Sequence, residues 1–479
     1  MKRVCAFVIL LAASAACSNA TPEQQIVNDA ASALGGRDKI LAVRTIVIEG
    51  QGTNGNLGQD MTPEATGQRF NVTGYTRTID VAAGQSRIEQ TRTPNFAYFQ
   101  GPQPQKQVLG IAGDVGYNVA PNGTATRVPN AVARDRRAEI FHHPITIIRA
   151  ALDPAAMLTN PRTTGHERVV EVGVNGLSFT LAIDATTKLP TRVVSMTDNP
   201  NLGDVAIETS FADYQDVNGL KLPAHLTTKT DTYTTVDIRA TKQTVDGPAG
   251  NLAAPDAAAS APAITAPPAA AVTTEELAKG VWQLAGQSHH SVVVEFGDHL
   301  ILIEAPQNDT RALAVIAKAR ELAPNRPLTH VVNTHHHFDH SGGIRAAVSE
   351  GLTVITHKGN AAFFQDAATR PHIIVPDALA KASKPLKVET VDEEMELKDG
   401  AMTMRLYHVA GCPHSDTMLM AYFPRERILV EVDAFSPGAA VQPYAANLRE
   451  NVSKRGLKVD RIVPLHGAIA PYSELLKTQ

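Results

Sequence analysis

The sequence predicts two folded domains of different class, an antiparallel β-rich domain followed by an α/β domain, and three observations lead to this prediction. Residues 21–247 alternate apolar and polar side chains in short segments separated by turn residues, as antiparallel strands do. Residues 248–273 are rich in alanine and proline, a composition typical of a semi-rigid linker. In residues 274–479, short apolar strands alternate with segments of helical period.

The first domain begins with a segment of helical spacing at residues 23–34 and continues as strands. Apolar and polar residues alternate on both sides of Asn175-Gly176, and again on both sides of Asn218-Gly219. A two-residue Asn-Gly loop between alternating segments is a strong signal for a β-hairpin. The sequence therefore predicts a hairpin at each of these two turns.

One part of this domain is similar to a known architecture. Residues 211–223, with Ile183-Asp184 and Leu189-Pro190 upstream, resemble the curved half-barrel of periplasmic lipoprotein carriers. The resemblance implies a concave apolar face for a lipid or another hydrophobic ligand. A β-rich domain that only positions the second domain is the alternative interpretation.

The N-terminus has the pattern of an export signal. A basic start at residues 1–3 precedes an apolar run at residues 4–16, which is too short to span a membrane as a helix. We therefore predict a signal peptide over residues 1–20 and a periplasmic protein. The small residues that lead to Cys17 resemble the lipobox of bacterial lipoproteins, which implies acylation of Cys17 and attachment to the outer membrane. Ordinary cleavage after Ala13-Ser14-Ala15 is the alternative.

The composition excludes several kinds of function and indicates which domain carries the chemistry. The formal net charge is -4, so no overall basic field attracts nucleic acid, and we expect a small-molecule substrate instead. Three cysteines, Cys5, Cys17 and Cys412, are too few and too scattered for a disulfide framework or a cysteine-rich metal site. Of the 17 histidines, 13 follow residue 280. The second domain is therefore the expected place of the chemistry.

The elements of the second domain follow from its periodicity. The predicted strands of its first part are residues 292–296, 300–303, 328–333 and 352–356, and the predicted helices are residues 310–322 and 344–350. Directly after the third of these strands stands a run of potential metal ligands, His335, His337, Asp339 and His340. Residues two apart on extended backbone point to the same side, so one short loop can supply ligands to two ions.

Three further potential ligands accompany later strands. His414 precedes the strand predicted at residues 417–423, Asp433 follows the strand at residues 427–432, and His466 ends the strand that begins at residue 460. Imidazole and carboxylate groups suit Zn²⁺ and neighbouring divalent ions. The pattern therefore predicts a metal site at the edge of a sheet.

These motifs, in this order, resemble those of the metallo-β-lactamase superfamily over essentially all of residues 274–479. The resemblance implies a four-layer αββα sandwich and two divalent metal ions, for which Zn²⁺ is expected and iron or manganese are alternatives. By that likeness the first ion is held by His335, His337 and His414, and the second by Asp339, His340 and His466, with Asp433 as the bridging ligand.

The implied activity is hydrolysis of an ester, lactone or thioester by a metal-bound hydroxide, with Asp339 orienting this nucleophile and taking its proton. Hydrolysis of β-lactams at the same site is one alternative. Superfamily members with that activity commonly carry a cysteine at the bridging position and a nearby lysine, and residues 433–436 contain neither. The other alternative is a lipid-binding or hydrophobe-binding protein in which the hydrolase domain is auxiliary.

The chain departs from the family pattern at two positions. Glu304-Ala305-Pro306 stands where an Asp-x-Gly phrase is expected, and Glu304 is a candidate to orient a metal ligand. Val432 replaces the usual glycine before the bridging residue. The remaining histidines are expected to be structural, with a place at the mouth of the site as the alternative for His289 and His290. Cys412 is expected to be a small buried thiol.

Overall fold

The computed structural model of the protein describes residues 20–97, 99 and 103–478. The predicted signal peptide lies outside the described residues apart from Ala20, and so does the predicted acylation site at Cys17. None of the helices in the described residues combines the length and the apolar character that a membrane span requires.

The described N-terminal residues form one sheet of thirteen strands in which every neighbouring pair is antiparallel. The strands are β1 (Thr45–Gly55), β2 (Arg69–Asp80), β3 (Gln85–Pro94), β4 (Gln105–Ala112), β5 (Val115–Val119), β6 (Ala125–Arg127), β7 (Met157–Thr164), β8 (Glu167–Val174), β9 (Leu177–Asp184), β10 (Pro190–Asn199), β11 (Gly203–Val217), β12 (Leu220–Thr230) and β13 (Tyr233–Val245). Their order is β6-β5-β4-β3-β2-β1-β13-β12-β11-β10-β9-β8-β7. The predicted β-rich antiparallel domain is confirmed.

Both predicted hairpins are present, as β8–β9 and β11–β12. Asn175 and Gly176 have φ of 51° and 73°, and Asn218 and Gly219 have φ of 55° and 76°. Two successive positive φ angles are what a two-residue type I′ turn requires, and Asn-Gly provides them at low cost. These two local signals therefore fix the register of four strands.

Four helices belong to this domain: α1 (Pro22–Leu34), α2 (Arg37–Ala42), α3 (Asn130–Ile140) and α4 (Pro144–Ala151). Helix α1 matches the predicted helix at residues 23–34. It begins at Pro22 because Thr21 and Gln24 form a capping box, in which each side chain bonds the other residue's backbone amide. Its apolar face packs into the core against the sheet.

The alanine- and proline-rich segment packs along the N-terminal domain. It contains one short helix, α5 (Asp256–Ala259), and Leu252 is buried. The hydroxyl of Tyr117 donates to the carbonyl of Leu252 at 3.2 Å, and the amide of Asn130 donates to the carbonyl of Ile264 at 2.9 Å. Composition alone gave no sign of these contacts.

The described C-terminal residues form two sheets. The first, in the order β14 to β20, contains β14 (Thr273–Ala278), β15 (Val281–Ala285), β16 (Ser291–Glu295), β17 (Leu300–Ile303), β18 (Leu328–Val332), β19 (Thr353–His357) and β20 (Val388–Val391). The second, in the order β21 to β26, contains β21 (Glu394–Lys398), β22 (Thr403–His408), β23 (Leu419–Phe423), β24 (Ile428–Glu431), β25 (Arg461–Pro464) and β26 (Ala470–Pro471).

The helices of this domain are α6 (Asp309–Leu322), α7 (Phe338–Ser341), α8 (Ile344–Ser349), α9 (Ala361–Thr369), α10 (Ala378–Ala382), α11 (Ala445–Lys454) and α12 (Tyr472–Leu476), with a 3₁₀ turn at Lys358–Asn360. Alternation along the strands separates the layers. Val292 and Val294 of β16 face the core between the two sheets, whereas Val293 faces the core beneath α6 and α8. Helices α11 and α12 cover the second sheet. This is the predicted αββα sandwich.

The strand ends bring the predicted ligands to one place. The loop with His335 follows β18 of the first sheet, while Asp433 and His466 follow β24 and β25 of the second. His414 lies in the connection between β22 and β23. The candidate site therefore lies at the edge where the two sheets meet.

Candidate metal centre

The loop after β18 is held in one conformation by buried contacts. The backbone amide of Thr334 donates to Oε1 of Glu304 at 2.7 Å, and Glu304 is fully buried. A Cβ atom at Gly342 would lie 2.1 Å from the carbonyl oxygen of Gln307, so only glycine fits there. These contacts constrain the backbone of the loop and so help to preorganise the side chains that it carries.

The first cluster consists of His335, His337 and His414, each of which offers a ring nitrogen within 4.8 Å of the others. His335 Nε2, His337 Nδ1 and His414 Nε2 are buried and have no hydrogen-bond partner. The other nitrogen of His337 bonds the carbonyl oxygen of Asp60 at 2.9 Å. Three converging imidazole nitrogens without hydrogen bonds suit a cation, because buried polar atoms are otherwise satisfied.

The second cluster consists of Asp339, His340 and His466, and a fourth residue, His289, joins it. Nε2 of His340 lies 2.9 Å from Nε2 of His466, and Nε2 of His289 lies 3.0 Å from Oδ2 of Asp339. The four groups converge from the loop before β16, the loop after β18 and the end of β25.

Asp433 lies between the two clusters. Its Oδ2 is 3.3 Å from Nε2 of His335 and 3.3 Å from Nε2 of His414. Nε2 of His340 is 3.1 Å from the same oxygen, and Nε2 of His466 is 3.1 Å from Oδ1. One carboxylate thus contacts both clusters, which is the geometry that a bridging ligand requires.

The charges of His335, His466 and Asp433 suit cation binding. Burial and the neighbouring His340 and His337 hold the pKa of His335 well below its usual value, and burial lowers the pKa of His466 to about 4. Burial would raise the pKa of Asp433, but His340, His466 and His414 outweigh it and hold this pKa well below its usual range. At neutral pH, His335 and His466 therefore keep unshared electron pairs and Asp433 keeps its negative charge.

Glu304 has the orienting position that the sequence suggested for it. Its Oε2 lies 3.4 Å from Nδ1 of His340, while its Oε1 accepts the amide of Thr334. A carboxylate on one ring nitrogen turns the other nitrogen, Nε2 of His340, toward the cluster. Glu304 thus lies where it can orient the ring of His340.

We expect Glu304→Ala to lower the free energy of unfolding of the C-terminal domain by about 1–3 kcal/mol, because the buried amide of Thr334 loses its acceptor. Urea denaturation in the presence of a chelator measures this, with the fluorescence of Trp282 as the signal. Trp282 is the single tryptophan of the chain and lies in β15. Glu321→Ala on the exposed side of α6 is the control. Equal midpoints for the two variants would contradict the expected result.

The N-terminal domain reaches this centre through the loop between β1 and β2, residues 56–68, named here the covering loop. Nε2 of Gln59 donates to Oδ1 of Asp339 at 2.7 Å. The carbonyl of Gly58 accepts the amide of Phe338 at 3.1 Å. Together with the hydrogen bond that the carbonyl of Asp60 accepts from His337, these contacts join the two domains at the ligand-bearing loop.

Two groups of residues at this site were not identified from the sequence. His289 was expected to be structural, with a place at the mouth of the site as the alternative; it lies in the second cluster, and its place just before β16 was its one sequence signal. Gln59 and Asp60 had no signal, because about 280 residues separate them from their partners in the loop after β18. A contact over that separation depends on how the two domains pack.

Two other residues near the ligands, His336 and Cys412, lie outside the clusters. Nδ1 of His336 lies 3.3 Å from the hydroxyl of Thr417. Cys412 is buried with its Sγ 3.7 Å from the sulfur of Met418, and burial raises the pKa of its thiol. Cys412 is thus the small buried thiol that the sequence predicted. All seven predicted ligand residues lie in the centre described above.

Comparison with known proteins gives one family. Residues 285–466 match the family model of the metallo-beta-lactamase superfamily. Similar solved structures include the DIM-1 metallo-beta-lactamase (17% identity, TM-score 0.34, 43% of this chain and 94% of that chain) and a metallo-beta-lactamase from Hirschia baltica (18%, 0.34, 43% and 94%). The mono-zinc form of FIM-1 from Pseudomonas aeruginosa is another (17%, 0.34, 43% and 92%). No curated protein matches the chain. On the family match over residues 285–466, the C-terminal domain is a member of the metallo-β-lactamase superfamily.

Proposed function

We propose that the protein is an exported hydrolase that holds two divalent metal ions and cleaves an uncharged ester, lactone or thioester. The observation that carries this proposal is the convergence of histidine and aspartate side chains in two clusters that both contact Asp433. Export rests on the sequence of residues 1–20, and cell fractionation of the wild type and of Cys17→Ser tests it.

The residues present fit such ions. Nitrogen and carboxylate oxygen donors are those that Zn²⁺ prefers. His335, His337 and His414 would hold one ion, and Asp339, His340 and His466 the other, with Asp433 between them. His289 adjoins the second set through Asp339. Divalent ions bound here would supply an acidified water and a Lewis acid for the acyl oxygen of the substrate.

Side chains of the protein orient the water and transfer its proton. Asp339 lies at the cavity that opens onto the centre, where it orients the attacking water and accepts its proton. Gln59 and His289 hold the two carboxylate oxygens of Asp339 from opposite domains. The proton then passes to the departing alcohol or thiol, so that acid and alcohol or thiol are released.

The cavity offers no cationic side chain for a substrate carboxylate in the part of its lining that the structure describes. Asp339 and Asp433 face it, and its lining among the described residues contains neither lysine nor arginine. A β-lactam carries a carboxylate, which a cationic side chain commonly binds, and this cavity offers none. The observation favours esters, lactones and thioesters, and β-lactam hydrolysis stays the alternative.

A hydrolysis panel tests this proposal. With Zn²⁺-loaded protein, we expect kcat/KM for neutral esters, lactones and thioesters to exceed that for a chromogenic cephalosporin by at least about tenfold, on the order of 1.4 kcal/mol. A chelator should abolish the activity, and added Zn²⁺ should restore it. Faster hydrolysis of the cephalosporin would favour the alternative, and no hydrolysis of any substrate would contradict the proposal.

A second candidate function concerns the N-terminal domain. A cavity of about 550 Å³ lies between α3 and the sheet; its wall is mainly apolar, with Phe179 and Leu226, and Asp135, Glu139 and Glu171 also line it. Arg77 also lines it, is 4% exposed, and has no hydrogen-bond partner for its Nε. No ion pair joins Arg77 to a carboxylate of the described residues. A buried cation beside an apolar cavity suits an amphipathic anion such as an alkyl carboxylate.

We propose binding of such a ligand as the second candidate. The test is equilibrium binding of a fluorescent fatty acid and of the matching fatty alcohol to the full chain. Arg77→Gln should weaken binding of the acid about tenfold or more and leave binding of the alcohol within about twofold. Binding of neither ligand by the wild type would contradict this candidate without affecting the hydrolase proposal.

A further inference from the structure

The covering loop makes contacts with two of the ligand-bearing segments. Beside the bonds to Phe338, Asp339 and His337, the carbonyl of Met61 accepts the amide of Asp416 at 2.9 Å, two residues after His414. The loop therefore bridges the segment after β18 and the segment before β23. These contacts are more numerous than a simple connection between two domains requires.

The loop is built to keep this shape. Asp60 is 6% exposed, its Oδ1 accepts the amide of Met61 at 2.7 Å, and its Oδ2 accepts the amide of Gln68 at 2.8 Å. These bonds close the loop on itself. Gly58 has φ of 73°, and a Cβ there would lie 2.3 Å from the ring of Phe338. Glycine is therefore required for the close approach of the two domains.

A cavity of about 370 Å³ lies between the domains at the metal centre. This volume is within the usual range of small-molecule sites. The C-terminal side of the cavity includes Asp339, His414, Asp433 and His466. The N-terminal side is formed by Asn56, Gln59 and Gln68 of the covering loop with Phe96 and Phe99. Half of the cavity wall thus comes from the N-terminal domain, which carries none of the predicted metal ligands.

The aromatic part of this wall is backed by the core. Phe70 is 2% exposed and packs edge-on against Phe96 and Phe99, with ring centroids 5.3 Å and 5.1 Å apart. Phe96 and Phe99 also meet edge-on at 6.4 Å. Rings that pack against a buried residue present an apolar surface and lose little side-chain entropy when a ligand binds. The amides of Asn56 and Gln68 add neutral hydrogen-bonding groups beside them.

We propose that the N-terminal domain supplies the substrate-binding wall of the active site: Phe96 and Phe99 bind an apolar acyl or aryl group of the uncharged substrate, and Gln59 positions Asp339. This inference rests on the proposed function and deepens it by naming the substrate group that is recognised. Gln59 acts through Asp339, because its Nε2 fixes Oδ1 of that carboxylate and leaves Oδ2 beside His289 and His340.

The aromatic wall is tested with two lactones that differ only in an apolar side chain. Phe96→Ala should raise KM for the lactone with the long side chain about tenfold and change KM for the short one less than about twofold. Phe96→Tyr keeps the ring and should restore the KM of the long lactone. A loss that affects both lactones equally, or no change in KM for either, would overturn the role of the wall.

The positioning role of Gln59 is tested by kinetics and by Co²⁺ titration of the full chain. Gln59→Ala should lower kcat about tenfold with KM unchanged, and should weaken the second equivalent of Co²⁺ about tenfold or more in the absorption titration. Gln243→Ala is the matched control, because Gln243 is a half-buried glutamine of the same domain that donates to the carbonyl of Pro223.

The outcomes separate this inference from the proposed function. A wild type that binds Co²⁺ and hydrolyses both lactones, with Gln59→Ala and Phe96→Ala unchanged in titration and kinetics, would overturn the inference and leave the function standing. A wild type that binds no Co²⁺ would overturn the proposed function and this inference with it.

Discussion

Asparagine in place of Asp433 is expected to lower kcat/KM by about 10³-fold or more and to reduce the metal bound per chain. The carboxylate of Asp433 contacts His335, His340 and His414 through one oxygen and His466 through the other. Asparagine keeps the volume but removes the negative charge that lies between the two clusters. Two divalent ions would then repel each other without a bridging anion.

Elemental analysis and kinetics of Asp433→Asn, side by side, measure this result. Asp392→Asn is the control, since Asp392 is a surface residue paired with Lys358. A variant that retains the metal content and the kcat/KM of the wild type would show that Asp433 has no bridging role.

Asp339→Asn is expected to lower kcat by about 10²–10⁴-fold, the usual contribution of a positioned acid or base. Both oxygens of Asp339 are held, one by Gln59 and the other by His289, so the substitution leaves an amide in a fixed orientation that cannot accept a proton. Asp339 belongs to the second cluster alone, so the metal content should fall less than in Asp433→Asn.

The comparison of kcat with metal content separates the two aspartates. Measurements on Zn²⁺-saturated protein, with Asp392→Asn again as the control, give kcat and KM for one lactone. If Asp339→Asn lost activity only in proportion to its metal content, the residue would be a ligand without a role in proton transfer.

Much of the fold could be predicted because its signals are local. The Asn-Gly turns set two hairpins, since the required positive φ angles depend on two adjacent residues. The apolar run at residues 292–296 predicted the strand β16, and the structure adds that Val293 faces away from Val292 and Val294. The cluster of His335, His337, Asp339 and His340 could be recognised because four potential ligands stand within six residues.

The rest depended on packing across the chain. His289 was expected to be structural, with the mouth of the site as the alternative, because nothing near it in the sequence shows that β16 begins beside His466. The covering loop has an ordinary loop composition. The roles of Gly58 and Gln59 can be recognised only from their contacts with Phe338 and Asp339 in the structure. Glu304 was predictable from its place in the family phrase, whereas its bond to Thr334 required the structure.

The central claim, a centre for two ions that share Asp433, is tested most directly by counting metal ions per chain. Elemental analysis of wild-type protein equilibrated with Zn²⁺ and then dialysed should give about two ions per chain, and His335→Ala should give about one or fewer. A wild type that retains no ion, or the same number as the His335→Ala variant, would contradict the account.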